Sequence, residues 1–205
     1  MPGSKLLADP AFLASPATYA LMSGAIVPRP IGFISTVSQE NIANLAPFSF
    51  FNAVCADPPA VCVSIANRLP PKDTIRNIRS SGEFVVNIVT EAIAKQMNLC
   101  SGDYPAGVSE FDISGLTPEP SEVVKPPCVR ESPVNMECRV MQIVEVSARP
   151  GGASLVIGEI VRFHYDPSIM EGLRIHPGRL RAIGRMGGNE YTRTQDRFEM
   201  IRPRV

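Results

Sequence analysis

Two long runs of alternating apolar and polar residues, 135–148 and 154–165, dominate the second half of the chain. Apolar side chains at every second position are typical of β-strands with one buried face. The link between the runs contains Gly151 and Gly152, which favour a tight turn. In the first run Ile143 is out of phase with the apolar residues before it, which indicates a β-bulge or a strand covered on both faces. We therefore predict a long antiparallel β-hairpin.

Shorter strands and three short helices account for most of the remaining chain. Runs rich in β-branched and aromatic residues predict strands at 31–37, 46–56, 60–65 and 84–89. Helical spacing bounded by proline or glycine predicts helices at 10–24, 73–81 and 91–100.

These elements lack the strand–helix alternation of parallel sheets, so the fold class is mainly β, a barrel with short peripheral helices. The chain of 205 residues suits a single domain, 1–205, with its core at about 19–195. In the link between the first two strands, Asn41 and Asn44 favour a turn, so these strands form a hairpin.

The segment 101–133 has a different composition, with six prolines and only isolated apolar residues. A loop of this length inside a compact domain is often a lid or a binding loop. It could equally be extended chain wrapped over the barrel surface. The C-terminal stretch 174–200 is rich in glycine and arginine and is predicted to form loops and short turns outside the core.

Charge and cysteine usage exclude several classes of function. Twenty acidic and twenty basic residues cancel, which gives no support to nucleic-acid binding and permits self-association. We expect no membrane segment and no signal peptide, because apolar runs are short. Five cysteines without a CxxC pair, and only two histidines, predict no zinc or iron–sulfur site. Reduced thiols in the cytoplasm fit this pattern.

Lys72, Asp73 and Thr74 stand at the start of the predicted helix 73–81, where Asp73 or Thr74 could act as the cap. A helix N-terminus offers free N–H groups and partial positive charge, and therefore suits a phosphate. An ordinary capped helix with a solvated lysine would show the same residues. Asn44, Ser49 and Asn52 could likewise serve a neutral heteroaromatic ring or lie on a solvated face.

Seven short motifs follow one another along nearly the whole chain, between residues 26 and 191. They are RPIGFIST at 29–36, NLAPFSFFNAV at 44–54, DPPAVCVSI at 57–65, KDTIRNI at 72–78, GEFVVNIV at 82–89, ESPVNMEC at 131–138 and GRMGGNEY at 184–191. In this order they resemble the flavin reductase-like family of FMN-binding split-barrel proteins, which includes flavoredoxins. The resemblance implies a split β-barrel, a homodimer, and FMN held non-covalently near the dimer interface.

The resemblance also implies roles for individual positions. Residues along the isoalloxazine ring and ribityl chain would be Arg29, Ser35, Thr36, Asn44, Ala46, Pro47, Ser49, Phe50 and Phe51. The phosphate end would be held by Lys72, Asp73 and Thr74, and the site closed by Arg185, Gly187, Gly188 and Tyr191 from this or the partner subunit. Asn87 is a further candidate, with a satisfied core amide as its alternative. The four residues from Arg185 to Tyr191 could equally belong to a solvated C-terminal tail. The segment 101–133 would form the loop over the flavin.

The expected function is NAD(P)H-dependent reduction of flavin. The family's hydride acceptor is the flavin N5, so we expect no catalytic side chain and no metal. NADH or NADPH would be the electron donor, and a monooxygenase or another redox partner the acceptor. A non-enzymatic FMN electron carrier serving such a partner is the alternative. A split-barrel oxidase acting on a compound such as a pyridoxine phosphate is a weaker third hypothesis.

Overall fold

The computed structural model describes residues 3–204 and contains thirteen strands and five α-helices in that range. The strands are β1 Gly32–Val37, β2 Ala43–Phe48, β3 Phe51–Ala56, β4 Pro59–Ala66, β5 Glu83–Ile88, β6 Pro118–Glu119, β7 Cys128–Val129, β8 Val134–Glu145, β9 Ala153–Tyr165, β10 Met170–Glu171, β11 Arg174–Ile175, β12 Ile183–Arg185 and β13 Tyr191–Arg193. The helices are α1 Ser15–Ala25, α2 Asp73–Ser81, α3 Ala94–Leu99, α4 Glu110–Ser114 and α5 Pro177–Leu180. Short 3-10 turns lie at Pro10–Phe12, Glu91–Ile93 and Pro167–Ile169.

Seven strands form one antiparallel sheet in the order β2-β1-β5-β8-β9-β4-β3. The two edge strands, β2 and β3, are consecutive in the chain, and only Ser49 and Phe50 separate them. The edges of a flat sheet of this size would lie about 29 Å apart, whereas three residue steps span about 11 Å at most. The sheet must therefore curl until its edges approach each other. The result is the predicted fold class, a split β-barrel with short peripheral helices.

The first hairpin forms as predicted, but its second strand is shorter than expected. β1 pairs with β2, and the turn between them places Asn41 in the left-handed region at φ 61°. The prediction of one strand over 46–56 is wrong, because the chain breaks at Ser49 and Phe50. The residues after the break join the opposite edge, where β3 pairs with β4. The amino-acid pattern alternates through the break, so it does not reveal it.

The long hairpin predicted from the alternating runs consists of β8 and β9, paired over most of their length. The pairing register shifts between Glu137 and Cys138 and again between Val140 and Gln142. These irregularities confirm the bulge that the phase of Ile143 predicts. β8 ends at Glu145, three residues earlier than expected.

Strand β1 is buried on both faces, and each face contributes to its own apolar cluster. Ile34 points into the barrel, where the interior cluster also contains Ile75 and Ile78 of α2. Phe33 points the other way, into an outer cluster that contains Met97 of α3. The sheet is therefore packed on both sides at this point, which fixes β1 and β2 firmly.

The segment 101–133 wraps over the barrel surface, as one of the two alternatives predicts, but it is not structureless. It contains α4 and the pair β6–β7, and it covers the outer face of the sheet. Phe111, Leu116 and Val129 are buried in the outer cluster. The C-terminal stretch forms the small hairpins β10–β11 and β12–β13. The prediction that this stretch lies outside the core is wrong at Ile183, which is buried in the same cluster.

Within residues 3–204, no helix has both the length and the apolar character needed to cross a membrane.

Candidate functional site

A shallow cleft lies between edge strand β2, the start of α2 and the beginning of the 101–133 segment. Its lining residues are Asn44, Ala46, Pro47, Phe48, Arg68, Lys72, Asp73, Thr74, Cys100, Ser101, Gly102, Asp103, Tyr104 and Glu110. The structure thus brings together six of the predicted site residues, namely Asn44, Ala46, Pro47, Lys72, Asp73 and Thr74. The cavity volume is about 70 Å³. Pockets that enclose a small-molecule ligand usually have about 300–1,000 Å³, so one protomer offers an open cradle.

The start of α2 forms one wall of the cleft. The helix begins at Asp73, as predicted, but its N-cap is Lys72, which makes no side-chain capping bond. The prediction that Asp73 or Thr74 caps the helix is therefore wrong. Because no side chain caps this end, the first N–H groups of α2 are available to a ligand. A nine-residue helix also adds the positive end of its dipole at this point.

Two buried side chains join this helix end to strand β2. The side-chain amide of Asn44 donates to the Thr74 hydroxyl oxygen at 3.1 Å. Thr74 is only 1% exposed. The Asp73 carboxylate, at the edge of the cleft, forms an ion pair with Arg76 of the same helix. The bond between Asn44 and Thr74 therefore fixes the spacing of the two walls.

Charges of both signs line the cleft. Burial lowers the pKa of Lys72, and Arg68 lowers it further, whereas the carboxylates of Asp103, Asp73 and Glu110 act in the opposite direction. Arg68 is held in an ion pair with Asp103. Burial and a neighbouring cation both disfavour the charged form of Lys72, so an anionic partner would stabilise its ammonium group. The basic end of the cleft can therefore bind an anion.

Glu110 connects the 101–133 segment to the edge of the sheet. Its Oε2 accepts a hydrogen bond from the backbone N–H of Leu45 at 2.9 Å. Burial raises the pKa of the Glu110 carboxyl above the ordinary 4.5, although the hydrogen bond from Leu45 works against this shift. The neighbouring Cys100 thiol is also affected, because burial raises its pKa to about 11. The cleft therefore holds a neutral thiol and no reactive thiolate.

Arg29 marks a second group of predicted residues, next to the link between β2 and β3. Its buried guanidinium donates to the carbonyl oxygens of Ile26 at 2.7 Å and Met186 at 2.8 Å, and to that of Ser23. It also reaches the Ser49 hydroxyl at 3.4 Å. Arg29 therefore ties the end of α1 and the C-terminal tail to the point where the sheet breaks.

The tail residues meet one another beside Arg29. The backbones of Arg29 and Arg185 exchange two hydrogen bonds of 2.9 Å. The Arg185 guanidinium donates to the Tyr191 hydroxyl and to the Gly188 carbonyl, and it lies 4.5 Å from the centre of the Tyr191 ring. Tyr191 in turn donates to the Asn98 side chain at 3.5 Å. Gly187 lies in the same turn, against Gly24 of α1. These residues contact one another and the fold, while Gly188 and Tyr191 are also exposed to solvent.

Ser35, Thr36 and Asn87 lie inside the fold and do not line the cleft. Thr36 accepts from the Asn77 amide at 3.1 Å, on the side of α2. Asn87 donates to the Phe33 carbonyl at 2.9 Å and accepts from Asn135 at 2.7 Å, and it has further bonds to Ser35 and the backbone of Val129. Ser35 also donates to the Pro127 carbonyl. Because protein atoms satisfy these groups, Asn87 matches the core-amide alternative, and all three side chains stabilise the fold.

Phe50 lies in the sheet break, and Phe51 is the first residue of β3. Phe50 is 36% exposed and stacks on Tyr19 of α1, with 6.1 Å between ring centres. Phe51 packs against Gly32, where an added Cβ would lie 2.8 Å from the ring. Phe50 is therefore available to a ligand or a second subunit, whereas Phe51 supports the strands beneath.

The sequence motifs do not include Arg68, Asp103 or Tyr104, and Glu110 enters only as part of the 101–133 segment. Packing of α4 and of the loop before it against β2 brings Asp103, Tyr104 and Glu110 to the cleft, and Arg68 reaches it from the loop between β4 and α2. Isolated polar residues in proline-rich chain give no periodic signal, so only the tertiary structure identifies them as lining residues.

Comparison with known proteins points to one family. The family model described as Flavin reductase like domain matches residues 22–184. An uncharacterized protein of Halalkalibacterium halodurans is 36% identical over 201 residues, which cover 96% of each chain.

Two solved structures are similar over nearly the whole chain. Nitrilotriacetate monooxygenase component B from Bacillus cereus is 35% identical with a TM-score of 0.93, and the match covers 97% of this chain and 100% of that one. The 2-nitrobenzoate 2-nitroreductase of Pseudomonas fluorescens is 32% identical with a TM-score of 0.88, covering 97% and 96%. These matches, together with the split barrel, show that the chain belongs to the flavin reductase-like family.

Proposed function

We propose that this protein is an FMN-binding oxidoreductase that uses NADH or NADPH to reduce its flavin. The observation that carries the proposal is the uncapped start of α2 beside Lys72, within a cleft that also contains Asn44, Ala46 and Pro47. Such a helix end with an adjacent lysine fits a phosphate monoester. The donor set of the cleft therefore fits the phosphate end of FMN.

The remaining residues would orient the rest of the cofactor. The backbone of Ala46 and Pro47 and the amide of Asn44 would lie along the ring and ribityl chain. Ser49 and Phe50 would contact the ring at the sheet break, and the turn with Gly187 and Gly188, held by Arg185 and Tyr191, would close the site. Asp73 and Thr74 would contribute mainly the N–H groups of the first helical turn. When bound, FMN would supply the redox chemistry by accepting a hydride at N5.

We propose a homodimer because an apolar surface lies next to this site. Tyr19, Leu21 and Met22 of α1, together with Phe50 and Val54, are exposed large apolar side chains. Tyr19 stacks on Phe50, so α1 and the sheet break present apolar side chains together, and exposed apolar patches often mark an interface. The open cradle of a single protomer would then be completed by a second copy. Five cysteines without disulfide bonds, as the sequence also indicates, favour a cytoplasmic location.

The electron acceptor we propose is a monooxygenase or another redox partner. Support comes from the relative that is itself a monooxygenase component, the nitrilotriacetate component B. The second candidate function is an FMN electron carrier that receives its electrons from another protein. It shares the same cleft, so the rate of reduction by nicotinamide dinucleotides distinguishes the two.

The test is an anaerobic titration of the FMN-loaded protein with NADH and, separately, with NADPH. We expect the visible flavin band to bleach promptly with at least one donor, which would also identify the preferred nucleotide. If FMN binds but neither donor bleaches it within minutes, the reductase function is wrong and the carrier function replaces it. Free FMN at the same concentration serves as the control for reduction without protein.

A further inference from the structure

Three side chains with metal-binding atoms meet on the outer face of the sheet, apart from the residues that line the cleft. They are Cys128 of β7, Glu137 of β8 and His164 of β9. The thiol sulfur, a carboxylate oxygen and an imidazole nitrogen lie within 4.8 Å of one another. The Nε2 atom of His164 is 2.6 Å from Oε1 of Glu137.

Strand pairing brings these residues together despite their separation in sequence. Glu137 pairs with Arg162, and Asn135 pairs with His164, so Glu137 and His164 are diagonal neighbours on one face of the β8–β9 hairpin. Cys128 reaches the same place from the 101–133 segment, which crosses over this face. The spacing of 128, 137 and 164 matches no metal-binding motif, which is why the sequence predicts no metal site.

The surroundings hold the carboxylate in place. The side chain of Glu137 is fully buried, and its oxygens accept backbone hydrogen bonds from Glu122 at 2.9 Å, Val123 at 2.7 Å and Val124 at 3.0 Å. Groups that bond to a ligand in this way orient it for a metal. The carboxylate of Glu137 is therefore held in a fixed position beside His164 and Cys128.

We propose that Cys128, Glu137 and His164 bind a divalent transition-metal ion, with Zn²⁺ as the best match. Thiolate, imidazole and carboxylate are the ligands that zinc takes in proteins. Three protein ligands leave a fourth position, and the His164 side chain, 30% exposed, provides access from solvent. The ion would fasten the 101–133 segment to the β8–β9 hairpin.

Binding requires small movements of the ligand side chains and the loss of a proton. Two ligand atoms on a tetrahedral zinc ion, each at about 2.0–2.1 Å, lie about 3.3 Å apart. His164 must therefore withdraw by less than about 1 Å from Glu137, and the ion replaces the proton between them. Nε2 then presents its lone pair while Nδ1 carries the imidazole proton. The Cys128 thiol releases its proton to solvent as the metal–sulfur bond forms.

The experiment is a Co²⁺ titration of chelator-treated protein without added flavin, followed by displacement with Zn²⁺. Co²⁺ bound to a thiolate gives a charge-transfer absorption in the near ultraviolet, which reports the sulfur ligand. We expect one equivalent of Co²⁺ to bind with this absorption, and Zn²⁺ to remove it. Because no flavin is present, the outcome is independent of the proposed function.

Matched variants identify the ligands. Cys128→Ser should abolish the charge-transfer absorption, and His164→Gln should weaken Co²⁺ binding by about tenfold or more. The controls are His176→Gln, which changes the other histidine, and Cys55→Ser, which changes an exposed cysteine. Both should bind Co²⁺ as the wild type does.

A thermal scan covers the case in which Cys128→Ser does not fold. Zn²⁺ should raise the Tm of the wild type and of His176→Gln but have a much smaller effect on His164→Gln, whose changed side chain is partly exposed. The proposal is overturned if the wild type shows no saturable binding, or if His164→Gln binds as tightly as the wild type. In either case Glu137 and His164 form a hydrogen-bonded pair and do not bind a metal ion.

Discussion

At the scale of single residues, Lys72 is the cation that most directly defines the proposed phosphate end. The sequence predicts Lys72 because a lysine next to a helix start adds a full positive charge to the free N–H groups of the first turn. The sequence does not predict Arg68, Asp103 and Glu110 as lining residues, because their place in the cleft depends on how distant segments pack. Ser35, Thr36 and Asn87 differ in the opposite way, because the sequence predicts them as site residues and the structure places them in the core. Polar residues on a strand can serve either a ligand or the core. The sequence pattern does not reveal that their side chains are buried.

Replacing Lys72 with Ala should weaken FMN binding by about ten- to a hundredfold, because one charge-assisted hydrogen bond to the phosphate is lost. Riboflavin, which has no phosphate, should bind the variant and the wild type equally. Fluorescence titration with both ligands measures the two dissociation constants. Lys125→Ala is the matched control, because Lys125 is exposed and is not among the residues that line the cleft. An equal loss for both ligands would contradict the role given to Lys72.

Glu110 provides a prediction about pH. Its folded-state pKa is raised above 4.5, so the folded protein holds this proton more tightly than the unfolded chain. Stability should therefore fall as pH rises from about 4.5 through the folded pKa. Glu110→Gln carries no charge at any pH and can still accept from Leu45. The Tm difference, variant minus wild type, should thus grow over this range and then level off.

Thermal scans of both proteins across pH 4.5–8 measure this difference. Glu190→Gln, a change at an exposed position of the C-terminal hairpin, serves as the control. A difference that stays constant or shrinks with rising pH would show that burial of Glu110 does not govern its ionisation.

At the scale of elements, α2 is the helix that the sequence predicts with most accuracy. Its observed bounds, Asp73–Ser81, equal the predicted ones, because Gly82 ends the helix in the left-handed region at φ 69°. The break between β2 and β3 could not be predicted, since residues 46–56 keep an unbroken strand-like pattern. Local signals such as a terminal glycine therefore predict boundaries better than periodicity does.

Gly82→Ala should destabilise the protein by about 1 kcal/mol, because a residue with a Cβ is strained at this φ. An added Cβ meets no atom within 4 Å, so the cost comes from the backbone alone. Gly24→Ala is the control, because it lies in α1 without a positive φ and also has open space around it. Urea denaturation should show a loss for the first variant and none for the second. Equal effects would contradict the proposed strain.

At the scale of the whole molecule, closure of the barrel explains where the site lies. The edges β2 and β3 meet at Ser49 and Phe50, and Arg29 joins this point to α1 and to the C-terminal tail. Sequence patterns predict the strands and the mainly β class, and the motif resemblance supplies the split barrel. The sheet order places consecutive strands at opposite edges, and only long-range pairing determines such an order.

The apolar surface formed by α1, Phe50 and Val54 should hold two copies together. Sedimentation equilibrium should give twice the chain mass of 22.2 kDa for the wild type. Val54→Asp places a charge in this surface and should shift the protein towards monomer and weaken FMN binding. Val146→Asp changes an exposed valine beyond β8 and should remain dimeric. A wild-type monomer that binds FMN tightly would contradict the dimer proposal.

The most direct test of the central claim compares FMN and riboflavin on the wild-type protein. Both ligands should be titrated under the same conditions, and the quenching or shift of flavin fluorescence recorded. If the cleft beside α2 holds the cofactor by its phosphate, FMN should bind saturably and at least about tenfold more tightly than riboflavin. If neither flavin binds, or if both bind with equal affinity, the start of α2 does not hold the phosphate of a flavin cofactor, and the account is wrong at its centre.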